Sequence, residues 1–135
     1  MPDSTAHGFG RVLVAVYAVF AIAATARSTV QITTRFDDAP LAYLLSAFAG
    51  VVYIVATIAL GLGRETTRSV AYAAILIELA GVLAVGTLSI VESSWFPDAT
   101  VWSDFGQGYL YIPLVLPLIG LWWLRRTRLQ KRYQR

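Results

Sequence analysis

Four stretches of apolar residues, each broken only by isolated polar side chains, divide the chain: 11–30, 41–62, 70–91 and 109–124. An α-helix needs about 20 such residues to cross the hydrocarbon of a bilayer. A helix is also the form that satisfies every backbone hydrogen bond within one segment in lipid. The pattern therefore predicts an all-α, integral membrane four-helix bundle, a single membrane domain over 1–135 with a basic tail over 125–135. Local signals punctuate the runs. Asp38 followed by Pro40 reads as an N-cap and first turn, and Gly61 and Gly63 close the second helix. The short GRETTRS connection makes the second and third helices antiparallel neighbours. Pro113 and Pro117, four residues apart, predict a bend in the last helix.

Composition narrows the class. With 57% hydrophobic and 14% charged residues, 135 residues are too apolar for an ordinary soluble domain and leave no length for an appended one. There is no cysteine, so disulfide chemistry and thiolate ligation are excluded, and with a single histidine, His7, in a short polar leader over 1–10, no zinc site is expected. No metal and no cofactor is expected. The first apolar run is longer than a signal-peptide core and reads as a retained helix.

Charge sets the expected orientation. Arg11 precedes the first run, Arg64 and Arg68 separate the second from the third, and Arg125, Arg126, Arg128, Lys131, Arg132 and Arg135 follow the fourth, while Arg27 and Arg35 fall on the other side. By the positive-inside rule this is a multi-pass protein of the cell membrane with both termini cytoplasmic. Arg125, Arg126, Arg128, Lys131 and Arg132 suit anionic lipid headgroups, at about 1 kcal/mol each near the surface. The pI near 9.5 thus expresses membrane asymmetry, and nucleic acid is not an expected partner.

The residue that stands out is Glu78, a lone carboxyl near the middle of the third run. Ionisable groups at that depth are expensive and mark functional or packing sites. Counting about 1.5 Å per residue from the cytoplasmic ends puts Glu78 and Tyr53 at the same level on adjacent helices, so Tyr53 is the expected hydrogen-bond partner. Arg27 lies roughly 9 Å away in depth by the same count, either snorkelling to the outer headgroups or turned inward toward an acid. Gly81, almost one turn from Glu78, opens a gap beside the carboxyl, and Ala80 and Ala84 mark a smooth face. Ser46 and Gly50 give the second helix a small-xxx-small spacing for close approach. The loop ESSWFPDATVWSDFGQGY carries Trp95, Trp102 and Phe105 among acids and glycines. It reads as an aromatic belt on the outer interface with a short helix over 99–105, or as a lid or docking surface.

The segments GRETTRSVAY, ELAGVLAVGTLS, FPDATVWS and YIPLVLPLIGLWWLRR resemble small four-span integral membrane proteins of unassigned function from actinobacteria. The resemblance spans nearly the whole chain and implies fold and location without an activity. The favoured expectation is a non-enzymatic accessory subunit or scaffold in a larger membrane complex or a homo-oligomer, with the lipid bilayer as its medium. The alternative is a small proton- or cation-coupled transporter or channel using Glu78. Its plan resembles small multidrug resistance exporters, except that those carry their glutamate in the first span and this chain carries it in the third. A membrane enzyme ranks third, because Glu78, Tyr53 and Arg27 are the only acid-base set and Arg27 is at the wrong depth.

Overall fold

The protein is described by a computed structural model covering the backbone of residues 2–134 and the side chains of residues 8–127. Four helices carry the fold: α1 Pro2–Arg35, α2 Pro40–Leu62, α3 Glu65–Val91 and α4 Ile112–Gln134. No strand occurs among the described residues. Three of the helices are long and apolar enough to cross a membrane. A fourth crossing exists if α4 and the 3₁₀ segment Ser103–Tyr109 before it, set at 96° to each other, count as one broken span.

α1 packs along α2, α2 along α3, and α3 against both α4 and the 3₁₀ segment. Long side chains link α1 to α4 at one end and to the 3₁₀ segment at the other. Phe9 meets Trp122 and Trp123 with ring centroids 5.7 and 5.3 Å apart, and at the other end Arg27 donates to the Tyr109 hydroxyl at 3.1 Å.

The helix ends follow the local chemistry in part. Gly63 takes the left-handed conformation (φ 63°) that ends α2, and its N–H reaches the Ala59 carbonyl at 3.4 Å. That conformation strains any side chain but glycine's least. Only Gly63 and Arg64 separate α2 from α3. Pro40 opens α2 as expected, but the N-cap is Ala39 and Asp38 sits in a 3₁₀ turn with no capping bond. Proline at the first position needs no donor partner, so the cap side chain is dispensable.

Three features depart from the sequence expectation. α1 is 34 residues, about 50 Å, and continues through the segment expected to be a loop, burying Ser28 and Gln31. The threonines at 29, 33 and 34 hydrogen-bond back to carbonyls of their own helix, which keeps a polar stretch helical.

The second departure is the connection between α3 and α4. It dives into the bundle instead of lying on its surface. Trp102, expected at the interface, is 1% exposed and among the largest fully buried side chains. The third concerns the prolines. Pro113 lies in the first turn of α4, where a missing N–H costs nothing, while Pro117 lies inside the helix; the sharp bend comes just before α4, at left-handed Leu110 and Tyr111 (φ 59° and 61°).

Gly50 and Gly81 mark two close approaches. A Cβ on Gly50 would sit 2.8 Å from the Thr25 hydroxyl and 3.2 Å from its backbone nitrogen, so the small-xxx-small face of α2 receives α1. A Cβ on Gly81 would collide with the six-membered ring of Trp102. We expect Gly81→Val to lower stability by about 1–3 kcal/mol, as overpacking does. Gly108→Ala, where a Cβ meets nothing within 4 Å, should stay within about 0.5 kcal/mol. Thermal unfolding in detergent followed by circular dichroism measures both.

Candidate functional site

Glu78 stands thirteen residues from each end of α3 and is 0% exposed. Its Oε1 accepts a hydrogen bond from the Tyr17 hydroxyl of α1 at 2.6 Å. That distance is in the short range characteristic of hydroxyl donors to carboxyl oxygens. Oε2 is buried with no partner among the described residues. Tyr17 reaches this point because α4 offers a glycine opposite it. A Cβ at Gly120 would lie 3.2 Å from the Tyr17 hydroxyl and 3.0 Å from Ile75 Cδ1.

Tyr53 is therefore not the partner of Glu78. Its ring stands 6.1 Å from that of Tyr17, but its hydroxyl accepts from the Trp102 indole N–H at 3.0 Å. The depth count compared only the second and third helices; the hydroxyl that reaches the carboxyl comes from α1, whose Tyr17 packs beside Tyr53.

Trp102 is held by its own loop. The Thr100 N–H donates to Ser103 Oγ at 2.8 Å, the Trp102 N–H donates to Thr100 Oγ1 at 3.1 Å, and the Ser103 N–H returns to the Thr100 carbonyl at 3.3 Å. These bonds satisfy a buried, irregular backbone from within. That is the condition for non-helical chain at membrane depth. The next three residues, Asp104, Phe105 and Gly106, are all left-handed (φ 52°, 60° and 86°), costing roughly 1–2 kcal/mol for each of the two that carry a Cβ. Two contacts with α3 offset this cost. The Asp104 N–H donates to Ser89 Oγ at 2.8 Å, and the Phe105 ring lies over Gly86.

The remaining candidates scatter. Arg27 is exposed and bound to Tyr109 near the far end, well removed from Glu78. Trp95 is half exposed on a short 3₁₀ turn, and Phe105 is half-buried. Arg125 and Arg126 are exposed, and the Arg126 guanidinium lies 5.2 Å from the Trp122 ring centroid. The side chains of Arg128, Lys131 and Arg132, like that of His7, lie outside the described residues.

Sequence reasoning missed Tyr17 as a site residue. It also missed Asp98, which accepts from the Tyr43 hydroxyl at 3.0 Å and stands 4.0 Å from Arg35, pinning the loop to the end of α2. The Thr-x-x-Ser spacing of Thr100 and Ser103 was the available signal for a structured loop.

Chemically, the central cluster is one carboxyl, two tyrosine hydroxyls and one indole donor in an apolar enclosure. It can hold a proton or a hydrogen bond at Glu78. It supplies no paired acid and base converging on a shared space, and no group of three or more histidine, cysteine, aspartate or glutamate side chains gathers among the described residues. The chain matches no protein-family model, and no curated protein or solved structure is significantly similar to it.

Trp102→Phe should cost about 1 kcal/mol, the net value of its hydrogen bond to Tyr53. Trp102→Ala should cost about 3 kcal/mol or more, because the plug volume empties beside Gly81. Equal losses in chemical denaturation would show that the indole donor, and not the ring, holds the loop.

Proposed function

We propose that this chain is a multi-pass, non-enzymatic integral membrane protein that acts as an accessory subunit or scaffold, within a larger membrane complex or as a homo-oligomer. The observation that carries this reading is the enclosure of Glu78. The carboxyl is wholly buried and spent on a bond between α1 and α3, with Trp102 and Tyr53 tying the returning loop into the same interior. Polar residues at bilayer depth commonly serve as such glue between helices. What the bundle presents outward is apolar, and on α3 the exposed positions Ala73, Ala80 and Ala84 share one face at spacings of seven and four residues. Small residues on a lipid-facing helix let a second helix come close. The excess of arginines near the α2–α3 turn and after α4 supports placing both termini on the cytoplasmic side.

A second reading, a proton- or cation-coupled transporter or channel using Glu78, draws support from Oε2, the carboxyl oxygen left without a partner.

Two measurements separate the readings. Crosslinking and mass measurement of the protein in nanodiscs should show a self-associated or partner-bound species that Ala84→Trp disperses while the unfolding temperature of the monomer holds. A monomer indifferent to Ala84→Trp contradicts the scaffold. In proteoliposomes Glu78→Gln should leave proton and cation flux unchanged; loss of a flux that the parent chain supports would establish the transporter.

A further inference from the structure

At the end of the bundle formed by the start of α1, the α2–α3 turn and the middle of α4, the helices part around a cavity of about 680 Å³. Three arginines from three segments line it: Arg11 of α1, Arg64 of the turn and Arg68 of the first turns of α3. Among the described residues, no acidic side chain lines it. The ion pair of Arg35 with Asp98 is at the opposite end of the bundle.

Arg68 is the built element. It is half-buried, and its Nη2 donates both to the Leu124 carbonyl and to the Thr127 hydroxyl, the latter at 2.7 Å. These neutral acceptors fix the plane of the guanidinium without cancelling its charge. Its Nε is buried and has no partner among the described residues. Arg11 and Arg64 are exposed on the same cavity. Arg64 is also the residue from which the 27-residue α3 starts, so the positive end of that helix faces the same region. Apart from Thr127 the rest of the wall is apolar, with Val14, Leu60, Trp123 and Leu124 among its residues.

Three cations around one cavity without a lining acid repel one another. A guanidinium fork matches the oxygens of a phosphate. We propose that this cavity binds a phosphate group through Arg11, Arg64 and Arg68, brought either by the headgroup of an anionic phospholipid whose chain follows the apolar wall or by a soluble phosphate. The basic tail after α4 is a separate, exposed surface. The cavity differs from it in having an arginine held by α4 and a volume of about 680 Å³.

Native mass spectrometry of the full chain in detergent, titrated with phosphatidylglycerol, with phosphatidylcholine and with inorganic phosphate, tests the site. Phosphatidylglycerol should bind in preference to phosphatidylcholine, and the paired change Arg11→Gln and Arg64→Gln, both at exposed positions, should weaken it about tenfold or more. Arg125→Gln with Arg126→Gln should leave the affinity unchanged. If inorganic phosphate displaces the lipid and binds by itself with the same dependence on Arg11 and Arg64, the proposal stands with soluble phosphate as the source. Lipid binding that ignores Arg11, Arg64 and Arg68→Lys but falls with the tail variant, or no preference for either phosphate probe, overturns it.

Discussion

A carboxyl placed midway along an apolar helix cannot borrow hydrogen bonds from solvent, so the protein itself has to supply them. Here the supply is the Tyr17 hydroxyl at 2.6 Å, and much of the architecture is arranged to deliver it. α1 must run far enough to bring Tyr17 level with Glu78. α4 must present Gly120 where a larger residue would stand 3.2 Å from the same hydroxyl. α2 must keep Tyr53 beside Tyr17 with its own hydroxyl engaged by Trp102. Each of the four helices thus contributes to seating one polar group, which ties their relative heights together.

The dipping loop follows from a related constraint. The apolar part of α4, 112–124, is only about 20 Å long, short of the hydrocarbon thickness it would have to cross. The 3₁₀ segment Ser103–Tyr109 precedes it at 96°, folded inward and packed against α3. Irregular backbone in that position is tolerated because Thr100, Ser103 and Ser89 satisfy its N–H groups and because Trp102 and Phe105 fill the spaces over Gly81 and Gly86. The glycines of α3, which in the sequence look like gaps suited to a neighbouring helix or a ligand, are receptors for the aromatic rings of this loop.

The sequence made the helices legible because hydrophobic length is a one-dimensional property. The all-helical class, the tight turn at Gly63 and the close face at Gly50 are all read from runs and spacings. Glu78 was equally visible, since a charge inside an apolar run needs no partner to be noticed. Its partner was invisible because relative helix height is set by packing. A few residues of slide between α1 and α3 decide between Tyr17 and Tyr53, and no pattern along one helix encodes it. Trp102 was misplaced because amphipathic aromatic residues suit both an interface and a polar-lined interior. Only the Thr100 and Ser103 hydroxyls distinguish the two, and their effect depends on a backbone turn. Arg11, Arg64 and Arg68 were read as markers of orientation. That all three share a cavity depends on how the helix ends splay.

The account rests on the Tyr17–Glu78 bond as the interaction that sets the bundle's register. A double-mutant cycle with Tyr17→Phe, Glu78→Leu and the double variant, measured by reversible denaturation in mixed micelles, isolates it. The account predicts a coupling of about 1–2 kcal/mol, the double variant losing less than the sum of the two single losses. Losses that add within about 0.3 kcal/mol would mean that Tyr17 and Glu78 stabilise the protein independently and would contradict the claim.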